Sequence, residues 1–226
     1  MGILKHDSTV ELYNQARRAC ALLQPDLACS VNEGRVIIEG TFHVPSSDPQ
    51  QAALGPIASY GIRLELYEGH PQIEPKLFET AGAFPHDSDH HVNYDGSCCF
   101  GVWQVLLAER PKMKVADLLD GPIRSYFFGQ HHLKCEGSWP FGELKHGGDG
   151  LIQAYARFLD CPEDPKVIKS LLILLGRKWK RDRHPCPCGS GSKVRDCCRA
   201  HLNAVPTKVH YKSVRPMMER FQLYYT

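Results

Sequence analysis

The chain has 226 residues, 42% of them hydrophobic and 23% charged, with a formal net charge of +2. That length and balance suit one globular domain carrying a small appendage. So slight a net charge gives no bulk electrostatic argument for nucleic acid or a membrane surface as partner. The longest aliphatic run, Leu171 to Leu175, is far short of the ~20 residues of a membrane span.

The opening Met-Gly-Ile-Leu-Lys-His lacks the apolar core of a signal peptide, and His6 stands where a myristoylation motif requires Ser or Thr. A cytoplasmic location is the expectation. Residues 8–23 predict an amphipathic helix, with Val10, Tyr13, Ala16, Ala19 or Cys20 and Leu23 at three- and four-residue spacing. Ser8 and Glu11 have the spacing of a capping box. Strand-like segments follow. Arg35 to Val44 is β-branched and partly alternating, and Tyr60 to Tyr67 alternates, with Ile62, Leu64 and Leu66 opposite Arg63 and Glu65. Lys76 to Ala81 is a shorter candidate, and the set reads as an antiparallel meander.

A polar, turn-rich approach then delivers Cys98 and Cys99 onto an apolar segment. In an extended chain successive side chains point to opposite faces, so Cys98 shares the face of Phe100 and Cys99 faces away. Cys99 is the candidate reactive thiol, set against the plain reading of a small buried hydrophobe. Val102 to Leu107 is helix or strand. Val115 to Phe128, with Leu118, Leu119, Ile123, Tyr126 and Phe127, predicts helix, with Pro122 a candidate start for a second one. Residues 137–150 read as a glycine-rich loop holding His146, and Leu151–Leu159 and Lys166–Lys180 as the last helices. The fold class is α+β.

Ten cysteines is an even number, as a disulfide framework requires, but four fall within thirteen residues and two are adjacent, which reads as metal ligation or catalysis. Cys186 and Cys188, then Cys197 and Cys198 after eight residues, form a four-thiolate set with glycines in the intervening turn. That set suits a closed tetrahedral structural zinc site. His184 and His201 are alternates should Cys198 not ligate. These 18 or so residues resemble the SEC-C zinc motif. The appendage either staples a region with little core of its own or docks a partner beside the basic run 177–181.

The strand at 60–67, Tyr-Glu-Gly-His-Pro-Gln-Ile-Glu-Pro-Lys-Leu-Phe-Glu-Thr at 67–80, His91-Val92-Asn93 and Asp95-Gly96-Ser97-Cys98-Cys99-Phe100 together resemble the ubiquitin-conjugating enzyme fold over residues 8–130. With Gly142-Glu143-Leu144-Lys145-His146-Gly147-Gly148-Asp149-Gly150 added, the chain is similar to stand-alone bacterial members encoded in cyclic-oligonucleotide antiphage (CBASS) operons. The resemblance implies a ubiquitin-conjugating-like domain over 1–160, a helical connector over 161–183, the zinc motif over 184–202 and a tail over 203–226. It also implies a thioester on Cys99, formed with the C-terminus of a partner cGAS-like nucleotidyltransferase. Asn93 would donate to the oxyanion, His91 would brace the loop or act as base, and His146 would orient or deprotonate the acceptor. The Asn93–Cys99 gap is shorter than in the eukaryotic enzymes, Cys98 replaces an aliphatic residue, and no adenylating motif accompanies the fold. Activation therefore falls to a separate enzyme or is bypassed. Two further readings stay open: a cysteine peptidase pairing Cys99 with His146 on a protein C-terminus, and a non-catalytic adaptor binding the synthase.

Overall fold

The structure, a computed structural model, describes residues 3–46, 48–142, 144–176, 183, 185–186, 188–199 and 211–225. By internal contacts the chain divides into two units, one of residues 1–101 and 112–142, the other of residues 102–111 and 143–226. The architecture is mixed α+β. No described helix is long and apolar enough to cross a membrane.

The first unit opens with α1 (Ile3–Leu23), then β1 (Leu27–Asn32), β2 (Arg35–Val44), a short α2 (Pro49–Ala52), β3 (Ala58–Leu66) and β4 (Lys76–Glu79). The four strands form one antiparallel sheet in the order β1-β2-β3-β4. Strand period puts Val36, Ile38, Phe42 and Val44 on one face of β2, and Tyr60, Ile62, Leu64 and Leu66 on the same face of β3. The register pairs Val36 with Leu66, Ile38 with Leu64 and Phe42 with Tyr60, so the apolar face is continuous across both strands. A slip of one residue would turn all of these side chains toward water.

The opposite face carries most of the charged side chains, beside buried Ile37. Glu65, only 8% exposed, is held by Arg35 at 3.2 Å, Arg63 at 3.0 Å and the Tyr67 hydroxyl at 3.1 Å. Buried Gln24 grips the His43 backbone twice, donating to its carbonyl and accepting from its N–H, both at 2.8 Å. The His43 ring spans from Asp26 (2.7 Å) to Ser59 (2.8 Å), pinning the α1–β1 turn to two strands. Gly40 lies where a Cβ would come within 2.2 Å of the Asp26 carbonyl oxygen, and no other residue fits there.

Helix α1 differs from the sequence expectation in extent and in face. It begins at Ile3, so Ser8 is interior and its hydroxyl donates to Glu68 at 3.0 Å instead of capping the helix. Its buried positions are Leu12, Ala16, Ala19 and Cys20, at i, i+4, i+7 and i+8, while Val10 is exposed. Packing against β1, β2 and the helix that begins at Val115 selected this stripe of small residues. β1 was not anticipated: Leu-Ala-Cys-Ser-Val-Asn buries only Leu27 fully, because it is an edge strand paired with β2 alone.

After the strands come α3 (Trp103–Glu109), which belongs to the second unit, and α4 (Val115–Leu118) with α5 (Arg124–Glu136) in the first. A π turn over Leu119–Ile123 joins α4 to α5 and contains Pro122. The wider turn accommodates a proline that would break a regular helix, so Pro122 starts no separate helix. All five apolar residues anticipated here are buried, and Phe127 stacks on Tyr60 at 4.8 Å and packs on Phe42 at 5.4 Å.

The second unit holds α3, α6 (Gly147–Leu159), α7 (Pro165–Gly176) and α8 (Tyr211–Tyr225). Residues 147–150, expected as loop, form the first turn of α6. Gly150 is tightly covered there, since a Cβ would fall 1.7 Å from the Lys145 carbonyl oxygen. One core takes in Leu151, Tyr155 and Leu159 of α6, Leu171 and Leu172 of α7, and Val214, Met217 and Phe221 of α8, together with Cys186, Val194 and Cys198. The segment expected as connector supplies α7 and the segment expected as tail supplies α8, and both bury apolar residues in this core, α7 against α6 and α8 and α8 against α7 and α3. The basic run 177–181, His184, His201 and Glu143 lie outside the described residues.

Candidate active site and candidate metal centre

The cysteine loop belongs to the first unit and is built as nested turns. Asp87 accepts from the His90 backbone N–H at 3.0 Å and meets its Nδ1 at 2.7 Å, and His91 and Val92 donate back to Ser88 (2.9 Å) and Asp87 (3.0 Å). The chain then makes a tight hairpin. Val92 bridges Cys98, the Asn93 N–H donates to the Ser97 carbonyl at 2.8 Å, and Gly96 at φ 80° supplies the left-handed corner. Asp95 fastens this corner. It accepts from Ser97 Oγ at 2.5 Å and Ser97 N at 3.1 Å, and pairs with Lys76 of β4 at 2.7 Å. Lys76 and then the Ser97 donors hold the Asp95 carboxyl well below the usual carboxylate range, at about 2.

The two cysteines part as strand parity predicts. The Cys98 N–H donates to Leu77 of β4 and the Cys99 N–H to His91, each at 2.7 Å. Cys98 is 4% exposed and burial pushes its thiol up to about 11, so it stays neutral at ordinary pH. Cys99 is exposed.

His91 sits at φ 52°, a conformation that costs a non-glycine residue about 1 kcal/mol or more and persists only when its surroundings over-determine it. Here they do. Its N–H is bonded to Ser88, its carbonyl accepts from Cys99, and its ring packs on Trp139 with centroids 4.3 Å apart. The Tyr126 hydroxyl of α5 donates to the His90 carbonyl (3.1 Å) and the His91 carbonyl (3.4 Å), and the Gln130 amide also donates to His90. Asn93 is exposed, and its side-chain amide donates to Ser97 Oγ at 3.0 Å. His146 belongs to the second unit, at the residue preceding α6.

Tyr126, Gln130 and Trp139 are the supports that sequence reasoning missed. The available signal was Gln130, a polar residue one turn after Tyr126 on the buried stripe of a helix, where a polar side chain needs a partner.

In the second unit the Sγ atoms of Cys186, Cys188, Cys197 and Cys198 all lie within 4.8 Å of one another. Cys188 and Cys197 are 3.4 Å apart and Cys197 and Cys198 3.9 Å, close to the ~3.8 Å edge of a tetrahedron with metal–sulfur bonds of about 2.3 Å. Local backbone bonds shape the turn: Cys186 N–H to Ser192, Gly189 N–H to Cys186 and Cys197 N–H to Val194, with Gly189 and Gly191 at positive φ. The Ser190 hydroxyl lies 3.2 Å from Cys197 Sγ. Ser190 is also the chief reason that the Cys188 thiol is lowered to about 6. Four converging sulfurs can hold a metal ion. Among the described residues no other such group of ligands occurs, and no cysteine is joined in a disulfide.

No protein-family profile, curated protein or solved structure matches the chain.

Proposed function

We propose that this chain is a ubiquitin-conjugating-like acyltransferase whose Cys99 carries, as a thioester, the C-terminus of a partner cGAS-like nucleotidyltransferase of an antiphage signalling operon. The observation that carries the reading is the division of labour between adjacent cysteines: Cys98 buried and neutral, Cys99 exposed with its amide tied to His91. The order of helix, four-stranded antiparallel meander, His-x-Asn hairpin, cysteine and helices supports it further.

In the first step the Cys99 thiolate attacks the partner's activated C-terminal carbonyl. A carbon–sulfur bond forms and the activating group, supplied by a separate enzyme, departs. An amine or thiol then attacks the thioester and expels the thiolate. In this reading His91 positions Cys99 through its carbonyl. Asn93 must exchange its bond to Ser97 for one to the oxyanion. The four cysteines of the second unit hold structural zinc, since an all-thiolate closed set leaves no open position for catalysis.

Intact-mass spectrometry after co-expression with the neighbouring synthase tests this. A reductant-labile adduct is expected in the wild type and in Cys98→Ala, and none in Cys99→Ala. Absence of any adduct, with phage protection undiminished in Cys99→Ala, would establish the adaptor reading instead.

A further inference from the structure

Two cysteines that the sequence leaves scattered meet in the first unit. Cys20 lies on the last turns of α1 and Cys29 in the middle of β1, and their sulfurs are 3.6 Å apart in S–H···S contact. The two thiols differ in every property that matters for exchange chemistry. Cys20 is 2% exposed, on the buried stripe of α1 with Ala16 and Ala19, whereas Cys29 is half-buried on the edge strand and reachable from solvent. The contact with Cys20 lowers the Cys29 thiol, and the guanidinium of Arg17, one α1 turn before Cys20, adds to the effect. The same contact pushes Cys20 strongly upward, with burial adding to it. Of the two, Cys29 is the more readily ionised and Cys20 the one that keeps its proton.

We propose that Cys29 and Cys20 form a thiol-modification site, in which Cys29 takes up a low-molecular-weight disulfide of the glutathione type and Cys20 resolves the adduct into a Cys20–Cys29 disulfide. The Cys29 thiolate attacks one sulfur of the small disulfide, whose S–S bond breaks and releases one small thiolate. Cys20 then gives up its proton to that released thiolate and attacks the Cys29 sulfur, expelling the second small thiolate. Two protein thiols are oxidised and one small disulfide is reduced to two thiols. Closing the bond takes the sulfurs from 3.6 Å to about 2.05 Å. The order of events follows from access, since the first attack needs a sulfur that the reagent can reach and Cys29 is the more exposed of the two. The resulting link ties the C-terminal end of α1 to the edge strand of the sheet. It is independent of Cys99, and its test is arranged to keep it so.

The experiment uses the full-length folded protein carrying Cys99→Ala, treated with increasing oxidised glutathione, quenched by alkylation and mapped as unreduced peptides. The expected product is a cross-link between the peptides holding Cys20 and Cys29, reversed by reductant. Adding Cys20→Ser should abolish the cross-link and leave a persistent glutathione adduct on Cys29. Adding Cys29→Ser should abolish the cross-link with no adduct on Cys20. Full alkylation of both residues in oxidised and reduced samples alike overturns the proposal. So does an adduct on Cys20 in the Cys29→Ser protein, which would reverse the assigned roles.

Discussion

Asp95 is the residue on which the cysteine hairpin turns, because one carboxylate satisfies both donors of Ser97 and pairs with Lys76. Its folded-state pKa, about 2, lies below the unfolded value of about 3.9. The contribution is thus fully present above pH ~4 and lost as the pH falls through ~2. Both partners are about half exposed, so screening holds the contribution to about 1 kcal/mol or less. Asp95→Asn should lower the urea midpoint at neutral pH, and the gap to wild type should close between pH ~4 and ~2. A gap that does not change over that range would mean that the Lys76–Asp95–Ser97 corner contributes nothing through charge. This corner was not legible from sequence. Asp95 and Ser97 are local and their turn chemistry can be read, but Lys76 meets them only because the cysteine hairpin pairs with β4, through the Phe78–Ser97 bridge and the Cys98 N–H on Leu77.

At the scale of elements, α5 decides how firmly the cysteine loop is seated. It presents Tyr126 and Gln130 to the carbonyls of His90 and His91, and Gly129 between them leaves room for Trp139. A Cβ at Gly129 would fall 2.5 Å from the Trp139 ring. Gly129→Ala gains about 1 kcal/mol of helix propensity, but the overpacking costs about 1–3 kcal/mol and the displaced ring gives up its contact with His91. The clash should win, with a net loss of about 1 kcal/mol in a denaturant melt and a shift in tryptophan emission. Stabilisation with unchanged emission would show that Trp139 is not held there. The sequence marks Gly129 as a weak point in a helix, yet it carries no hint of which ring fills the space. Residues 147–150 are the converse case: three glycines and an aspartate read locally as loop, and the covered turn under Lys145 makes them helix.

At the scale of the whole molecule, the four-cysteine cluster is built into the core of the second unit. Cys186, Val194 and Cys198 are buried together with Tyr155, Leu171, Met217 and Phe221, and the Tyr155 hydroxyl donates to the Met217 carbonyl at 3.2 Å. Metal binding in small cysteine-rich modules contributes on the order of 10 kcal/mol, far more than any single apolar contact. Chelation should therefore strip amide-exchange protection from α6, α7 and α8 as well as from residues 185–199, and Cys197→Ser should do the same. Protection lost only within 185–199 would mean that the helices hold their core without the metal.

Several features of this protein follow from sequence alone, and each is local. The alternation in Arg35–Val44 and Tyr60–Tyr67 specifies two strands and their buried faces. The parity of Cys98 and Cys99 separates a buried thiol from an exposed one, and the spacing of Cys186, Cys188, Cys197 and Cys198 brings four sulfurs to one point. Periods of two residues and loops of about ten are set by backbone geometry, so short windows of chain suffice. Tertiary structure decided the rest: the Leu12–Ala16–Ala19–Cys20 face of α1, the entry of α7 and α8 into one core, and the meeting of Cys20 with Cys29. Each depends on which distant surface excludes the most water, a property of the assembled chain that no short window contains.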